Sequence, residues 1–335
     1  MKTIPRRALM LALAGLVAAG IAAGVALARS TPASVGSGVV VIETNLAYQN
    51  GAAAGTGIVL TKSGRILTNN HVIRGATTIK IVLPGAGRSY TAKVVGYDVA
   101  DDVAVLQASG ASNLKTTPIG DSDSVDAGES VRALGNAGGT GRLISASGTV
   151  TGVGRSISVN DEQGGSENLS GLIETNAAVR PGDSGGPLLN ASGEVIGMDT
   201  AASVSNDVAY STTNQGFAIP INKAVSIVKQ IESGDGSEAI HIGGTAFLGV
   251  ESTTNQYDGS GAVISAVVPG GAAEAAGLSA GDLIVSVDGR TISSPDDLSG
   301  IVTTRKPGDS IAAVYVDQYG TTQTANVTLA SGPPR

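Results

Sequence analysis

Cysteine and tryptophan are absent from the 335-residue sequence, and it contains only two histidines. Without cysteine there is no disulfide, no thiolate nucleophile and no cysteine-ligated metal site. The two histidines, His71 and His241, lie far apart in the sequence, so no metal site stands out. Aromatic residues make up only 3% of the chain. The hydrophobic cores must therefore be built from Val, Ile, Leu and Ala.

Basic residues are also few, since 21 Lys and Arg stand against 28 Asp and Glu, for a net charge of −7. Proteins that bind nucleic acid neutralise phosphates with clusters of basic side chains, so this balance argues against nucleic acid as a partner. Glycine, in contrast, is abundant, with 48 residues, about twice its usual share. Such a content is typical of many short strands joined by tight turns.

The first 28 residues have the pattern of an export segment. Three basic residues precede an apolar run, 8–28, that ends in Ala-Leu-Ala. A basic start, an apolar middle and a small-x-small end are typical of a secretory signal peptide, and the run is also long enough for a membrane anchor. Both alternatives predict a secreted or cell-envelope protein that works outside the cytoplasm. Residues 29–37 are predicted to be a flexible lead-in.

A catalytic serine is indicated by residues 182–187, which read Gly-Asp-Ser-Gly-Gly-Pro. A serine between glycines, just before a short apolar run, is typical of a nucleophile presented on a tight turn. Glycine adopts positive φ readily and leaves the neighbouring backbone N–H groups unobstructed. Such donors can stabilise an oxyanion. Serine is a weak nucleophile at neutral pH, so Ser184 needs an adjacent base.

His71 is the better candidate for that base. It follows an apolar strand-like run, whereas His241 lies in a Gly/Ser-rich connector that would not hold the ring in register. A carboxylate should orient the imidazole, and Asp102, Asp98 and Asp101 all lie close together in the sequence. Asp102 is favoured because it immediately precedes an apolar strand. Asp101 would project to the opposite face of an extended segment.

The order His71, Asp102, Ser184 resembles that of the chymotrypsin-like serine proteases. Four motifs in order narrow the resemblance to the HtrA family, especially its exported mycobacterial and actinobacterial members. These motifs are TNNHVI at 68–73, DVAVL at 102–106, GDSGGP at 182–187 and GFAIP at 216–220. The resemblance extends over residues 36–329 and implies a serine endopeptidase that hydrolyses unfolded or misfolded proteins without a cofactor.

The resemblance also implies the role of each site residue. Ser184 would attack the peptide carbonyl, His71 would carry the proton, and Asp102 would orient the imidazole. The backbone N–H groups of Gly182 and Ser184 would form the oxyanion hole. Two alternatives to a protease stay open, namely a chaperone-like peptide-binding scaffold with little proteolysis and an adaptor that uses only the C-terminal domain.

The resemblance also predicts the substrate preference. Ala178 would lie at the base of the primary pocket, with Gly216 and Ala218 along its walls. Because there is no acidic residue at that base, a small or aliphatic side chain is expected before the scissile bond.

Two features depart from the family pattern. Many relatives carry Asn at the position of Asp183, and residues 29–42 contain no aromatic residue of the kind that family trimers often use, so trimer formation is not predicted.

The protease domain is predicted to span residues 38–232 and to be mostly β. Short runs of β-branched residues separated by Gly, Ser, Asn or Asp are typical of barrels, and two six-stranded barrels would hold the site between them. Residues 221–232 have apolar positions at helical spacing, which predicts a closing amphipathic helix. Residues 233–244 are predicted to be an inter-domain linker, and the polar segment 154–170 to be a long loop.

A second domain with α+β character is predicted at residues 245–331, and it resembles a PDZ domain. Its first residues are similar to a carboxylate-binding loop, in which backbone N–H groups receive a peptide's C-terminal carboxylate while an edge strand takes the peptide as an added strand. The loop residues are Phe247, Leu248, Gly249 and Val250. The expected partners are therefore protein substrates at the active site and C-terminal peptides here. Retention of the fold for stability alone is the alternative.

Overall fold

The computed structural model describes residues 36–160, 166–200, 215–237, 239–256 and 259–335, all within one unit that spans Ala33–Arg335. The predicted signal peptide or anchor, 1–28, and all but the last two residues of the lead-in lie outside the described residues. Within the described part of the chain, no helix is both long enough and apolar enough to cross a membrane.

Residues 39–108 form an antiparallel barrel, with the strand order β5-β4-β1-β2-β3-β6 closed by the pairing of β5 with β6. Residues 39–42 are buried without alternation. Val40 and Ile42 fill this barrel, whereas Val39 packs in a cluster shared with the second barrel. The strands of this first barrel are β1 (Val39–Leu46), β2 (Gly51–Val59), β3 (Arg65–Thr68), β4 (Thr78–Leu83), β5 (Arg88–Asp98) and β6 (Val103–Ala108), and a short helix α1 (Asn70–Ile73) follows β3.

The second barrel is also closed and six-stranded, as predicted, with the order β10-β11-β12-β9-β8-β7. Its strands are β7 (Ser130–Gly135), β8 (Ile144–Asn160), β9 (Ser166–Thr175), β10 (Pro187–Leu189), β11 (Val195–Thr200) and β12 (Gly216–Pro220). The prediction of a loop at 154–170 is wrong, because β8 and β9 stay paired out to Asn160 and Ser166. Most described residues of this hairpin's outer part are exposed, and its polar composition therefore concealed the strands.

Helix α2 (Ile221–Ser233) closes the two barrels as predicted, and its buried side chains recur every three or four residues. The segment 233–244, predicted to be an inter-domain linker, contains a short strand. Residues Ile240–Ile242 form strand β13, which pairs with the end of β5. The ring of His241 stacks on Tyr97 with a centroid separation of 5.0 Å, so it is held in place, contrary to the expectation of a mobile ring.

The C-terminal domain combines a five-stranded antiparallel path, β15-β16-β17-β19-β20, with two short helices. Strand β18 pairs with β17, and β14 pairs with β21 in a separate two-stranded sheet. The Ser294 side chain caps helix α4, accepting a hydrogen bond from the Asp297 N–H at 3.1 Å. The elements are β14 (Thr245–Phe247), β15 (Val250–Thr254), β16 (Ala262–Val267), α3 (Ala272–Ala275), β17 (Leu283–Val287), β18 (Arg290–Thr291), α4 (Pro295–Thr303), β19 (Ser310–Val316), β20 (Thr322–Thr328) and β21 (Ala330–Gly332).

Residues 333–335 follow β21 and contact the first barrel near α1. The Gly75 N–H donates to the Pro334 carbonyl at 2.8 Å. The Asn70 side-chain amide, on α1, donates to the Arg335 backbone oxygen at 2.9 Å. The Tyr97 and Thr245 hydroxyls form a buried hydrogen bond of 2.9 Å. The C-terminal domain is therefore joined to the first barrel by hydrogen bonds as well as by β13.

Candidate active site

Ser184 lies on a tight turn that leads from Arg180 into β10. We call residues 180–187 the nucleophile turn. Its form is set by internal bonds, since the Asp183 N–H donates to the Arg180 carbonyl at 2.9 Å and the Gly186 N–H donates to the Asp183 carbonyl at 2.8 Å. Ser184 is buried, with 5% of its surface exposed. The sequence placed this serine on a tight turn, and the structure has one there.

Two glycines of the nucleophile turn are required by its geometry. Gly182 and Gly185 have φ values of 96° and 82°, in the left-handed region that favours glycine. A Cβ atom on Gly182 would overlap the carbonyl oxygen of Asn136, and one on Gly185 would overlap that of Thr56. Any side chain at either position would therefore displace the turn that carries Ser184.

Thr56, on β2, ties the nucleophile turn to the first barrel. Its hydroxyl donates to the Gly182 carbonyl at 2.7 Å and accepts from the Asn136 N–H at 2.9 Å. Its own N–H donates to the Ser184 carbonyl at 2.8 Å, and its carbonyl accepts the Thr68 hydroxyl at 2.7 Å. The sequence analysis missed Thr56, because a threonine inside a strand gives no signal of a contact 126 residues away.

His71 and Asp102 are held together by two hydrogen bonds. The His71 backbone N–H donates to Asp102 Oδ1 at 2.9 Å, and His71 Nδ1 lies 2.8 Å from Asp102 Oδ2. The imidazole is 30% exposed, while the carboxylate is only 2% exposed. A buried carboxylate at Nδ1 fixes the orientation of the ring and leaves Nε2 for proton transfer.

The turn that presents Asp102 differs from the extended segment assumed in the sequence analysis. Asp102 has a φ of 53°, and the side chain of Asp98 accepts the Asp101 N–H at 3.0 Å. Burial raises the pKa of Asp98. Asp101 forms an ion pair of 2.6 Å with Lys223 of α2. Asp102 therefore contacts His71 because of a local left-handed turn, while Asp101 contacts a different partner.

Strand β11 joins the His71–Asp102 pair to the nucleophile turn. The Thr200 hydroxyl donates to Asp102 Oδ2 at 3.3 Å. The preceding residue, Asp199, accepts the Gly185 N–H at 2.8 Å and donates to the Gly186 carbonyl at 2.7 Å through its backbone. Thr200 thus bonds to the His71–Asp102 pair, and Asp199 bonds to the nucleophile turn. The sequence analysis missed both, and an Asp-Thr pair at the end of a buried strand was the available signal.

Two buried carboxyl groups lie beside Ser184. Asp183 is 3% exposed and Asp199 is fully buried. Burial is the main cause that raises the pKa of Asp183, opposed by a hydrogen bond from the Arg180 N–H. Burial also raises the pKa of Asp199 well above its ordinary value, and the charge of Asp183 adds to that rise.

The three residues predicted to form the primary pocket come from neighbouring parts of the second barrel. Gly216 and Ala218 lie on β12, next to β9, and both are buried. Ala178 is half-buried in the segment after β9. A Cβ on Gly216 would meet the Val179 side chain at 2.6 Å. Val179 is thus a further residue against this wall, one that the sequence analysis missed.

The predicted carboxylate-binding loop lies at one end of a groove between β15 and α4. The groove has a volume of about 320 Å³, and the loop residues Phe247–Val250 line it together with Leu298 and Val302. The carbonyls of Leu248 and Gly249 accept the N–H groups of Ala273 and Val268, both at 2.9 Å. Pro333 and Arg335 line the same groove, which the sequence analysis did not anticipate.

Two family models match the chain. A trypsin-like peptidase domain matches residues 55–198, and a PDZ domain matches residues 263–310. The first match contains the three residues of the predicted triad, and the second contains β17, β18, nearly all of β16 and both helices of the C-terminal domain. The matches agree with the two-domain organisation derived from the sequence.

Curated relatives are serine proteases. The serine protease PepD of Mycobacterium tuberculosis is 35% identical, and the alignment covers 94% of this chain and 70% of PepD. A probable periplasmic serine protease do/HhoA-like of Haemophilus influenzae is 38% identical, with coverage of 80% and 56%. The periplasmic serine endoprotease DegP of Escherichia coli K12 is 36% identical, with coverage of 77% and 53%. The chain thus spans between 53% and 70% of the length of these relatives.

Solved structures give the same relationship. The HtrA-type protease AlgW with a tripeptide matches at 28% identity and a TM-score of 0.50, over 90% of this chain and 96% of that one. A variant of AlgW with a tripeptide reaches a TM-score of 0.52 at the same identity and coverage. The ordered motifs, the paired barrels and these relatives lead to one assignment. The chain belongs to the HtrA family of serine endopeptidases, in which a trypsin-like peptidase domain is followed by a PDZ domain.

Proposed function

We propose that this chain hydrolyses peptide bonds of unfolded or misfolded proteins outside the cytoplasm, with Ser184 as nucleophile, His71 as general base and Asp102 as the orienting carboxylate. The observation that carries the proposal is the pair of hydrogen bonds from His71 to Asp102, connected through β11 to the nucleophile turn. The periplasmic names of several relatives and the export pattern of residues 1–28 support the location.

The mechanism follows from the roles of these groups. Ser184 Oγ attacks the scissile carbonyl while His71 takes its proton, and His71 gives that proton to the leaving amine as the C–N bond breaks. Water then attacks the acyl group on Ser184 while His71 takes a proton from it, and His71 returns this proton to Ser184 as the acid product leaves. Asp102 stabilises the imidazolium that forms in between. The N–H groups of Gly182 and Ser184 are the proposed oxyanion donors. The Pro181 carbonyl accepts the Gly138 N–H and the Asp183 carbonyl accepts the Gly186 N–H, both at 2.8 Å, so the two peptide units that carry these donors have fixed orientations. Preorganised donors of this kind need no rearrangement during reaction.

Digestion of unfolded casein by the purified chain, beside the Ser184→Ala variant, tests the proposal. Fragments should accumulate with the wild-type chain and not with the variant. A chaperone-like scaffold is the alternative, and it is not favoured because the relatives are named as proteases. Binding of unfolded chains without fragments in either sample would support the scaffold and contradict the proposed activity.

Cleavage preference provides a second prediction. We expect Val, Ala or Leu before the scissile bond to be preferred over Lys or Arg, because the pocket is assigned to Ala178, Gly216 and Ala218. One methylene in such a pocket is worth about 1–3 kcal/mol, so preference among aliphatic residues should be graded. A peptide library measures the profile. Ala178→Asp should increase cleavage after Lys and Arg, whereas Ala191→Asp, at an exposed turn, should not. A wild-type profile dominated by Lys and Arg would contradict the assignment.

Regulation by peptides is proposed for the PDZ domain. A C-terminal carboxylate would bind at the loop Phe247–Val250 and an apolar side chain between β15 and α4. A peptide in this groove would meet Pro333 and Arg335, and the adjoining backbone is bonded to Asn70, next to His71.

The third prediction is that an apolar C-terminal peptide changes kcat/KM of the full chain by roughly 5- to 150-fold, which corresponds to a coupling free energy of about 1–3 kcal/mol. Ser299 is exposed on α4 and lines the groove, so Ser299→Trp should fill it and abolish the response. Ser299→Ala is the matched control and should keep it. Equal rates with and without every peptide tested would mean that the domain acts only as a tether or stabiliser.

A further inference from the structure

Asp183 and Asp199 carry buried oxygen atoms that the mechanism does not use. Asp183 Oδ1 and both carboxyl oxygens of Asp199 accept no hydrogen bond of normal geometry from any residue that the structure describes, and the Leu134 N–H only approaches the Asp199 carboxyl. Buried polar atoms are almost always paired, because an unpaired one retains its full desolvation cost. Three such atoms beside the nucleophile turn therefore require an explanation.

The two carboxyl groups lie beside the same two residues at the end of β7. The Leu134 N–H approaches the Asp199 carboxyl, and Asp183 Oδ1 would lie 2.5 Å from a Cβ atom on Gly135. The backbone of Asp199 bonds to Gly185 and Gly186 from both sides, and Gly186 also bonds to the Asp183 carbonyl. The charge of Asp183 acts directly on the carboxyl of Asp199. Two carboxyl groups in one dry site cannot both be ionised, and one proton shared between them turns two acceptors into a donor–acceptor pair.

We propose that Asp199 and Asp183 share one proton, and that the resulting hydrogen bond makes Asp199 a positioning residue for Ser184. The inference rests on the proposed function, since it concerns the turn that presents the nucleophile. The groups around the pair stabilise a negative charge on Asp183 more than one on Asp199. Asp183 is approached by the Arg180 charge and by the N–H groups of Arg180 and Ala137, while Asp199 has only the Leu134 N–H as a stabilising neighbour among the described residues. The proton therefore resides on Asp199 and the negative charge on Asp183.

Stability against pH tests the shared proton without any activity measurement. The folded chain keeps a proton that the unfolded chain releases above the ordinary aspartate pKa of 3.8. Its stability should therefore fall as pH rises above that value, with the unfolding equilibrium constant increasing by up to about tenfold per pH unit. Asp199→Asn carries an amide donor in place of the carboxyl and should lack this slope, so it becomes progressively more stable than the parent chain toward alkaline pH.

These unfolding curves are best measured by denaturant titration between pH 5 and pH 9, with Ser184→Ala as the parent so that no self-cleavage occurs. Asp309→Asn is the control, since it makes the same replacement at an exposed aspartate of the C-terminal domain. An unchanged slope in Asp199→Asn would overturn the proposal. Because this readout is independent of catalysis, its failure is distinguishable from a failure of the proposed protease activity.

The positioning role is tested by kinetics on the active chain. Asp199→Asn should keep kcat within about threefold, because its amide can donate to Asp183 as the proton does, whereas Asp199→Ala should lower kcat by about tenfold or more with little change in KM. The wild type should also lose kcat reversibly at alkaline pH, where the shared proton leaves, and Asp199→Asn should not. A kcat for Asp199→Ala equal to that of the wild type would show that the pair does not position Ser184, and would overturn the proposal.

Discussion

Ser184→Ala and His71→Ala are each expected to lower kcat for a peptide substrate by a factor on the order of 10⁶, and the double variant by little more. The reason is that nucleophile and base act as one unit, so removal of either leaves the other without a function. The residual rate would come from substrate binding and the oxyanion donors, which both variants retain.

The measurement is single-turnover hydrolysis of a fluorogenic peptide at high enzyme concentration. Ser192→Ala is the matched control, because Ser192 is exposed in the turn after β10. Its backbone N–H, which the substitution keeps, donates to Asn190 Oδ1. It should have the wild-type rate. Losses that add up in the double variant would mean that Ser184 and His71 act independently, which contradicts the triad.

Asp102→Asn is expected to lower kcat by about 10⁴-fold, the size of the effect when the orienting carboxylate of a triad becomes an amide. Asp102 accepts two bonds from His71 and one from Thr200. An amide offers only one acceptor oxygen, so it would force the imidazole into the wrong tautomer or break one of these bonds.

Asp101→Asn is the neighbouring control for this prediction. It loses an ion pair with Lys223 in which both side chains are about one-third exposed, and such pairs contribute about 0–1 kcal/mol to stability. The variant should keep most of its activity, measured as kcat/KM on the same peptide. If the Asp101 variant were inactive while Asp102→Asn remained active, the assignment of the acid would be reversed.

The parts of the site that could be predicted from the sequence are those with local signals. Ser184 lies among glycines that a tight turn requires. His71 follows one strand and Asp102 precedes another, and each lies in a short motif that can be recognised in the sequence. The strands, helix α2 and the helices of the C-terminal domain could be predicted because β-branched runs, helical spacing and turn residues repeat along the chain, whereas the PDZ fold was predicted from the family resemblance.

Contacts between residues distant in the sequence could not be predicted. Thr56 lies inside β2 and the pair Asp199 and Thr200 ends β11, and their roles depend on which loop packs against them. Strand β13 is short and flanked by Gly and Ser, so its composition indicates a linker, and only its pairing with β5 makes it a strand. The outer parts of β8 and β9 could not be predicted for the opposite reason, since their exposed residues are polar although the two strands pair out to Asn160 and Ser166.

Strand β13 also protects the first barrel from unwanted association. Strand β4 pairs with β5 only from Arg88 to Ala92, so the far end of β5 would present unpaired backbone groups on that side, and such open edges recruit strands from other molecules. Residues Ile240–Ile242 cover this edge up to Asp98, immediately before the turn that holds Asp102. A protease fragment that ended before residue 240 would keep every triad residue. The end of β5 beside Asp102 would then be unpaired and open to pairing with strands of other molecules.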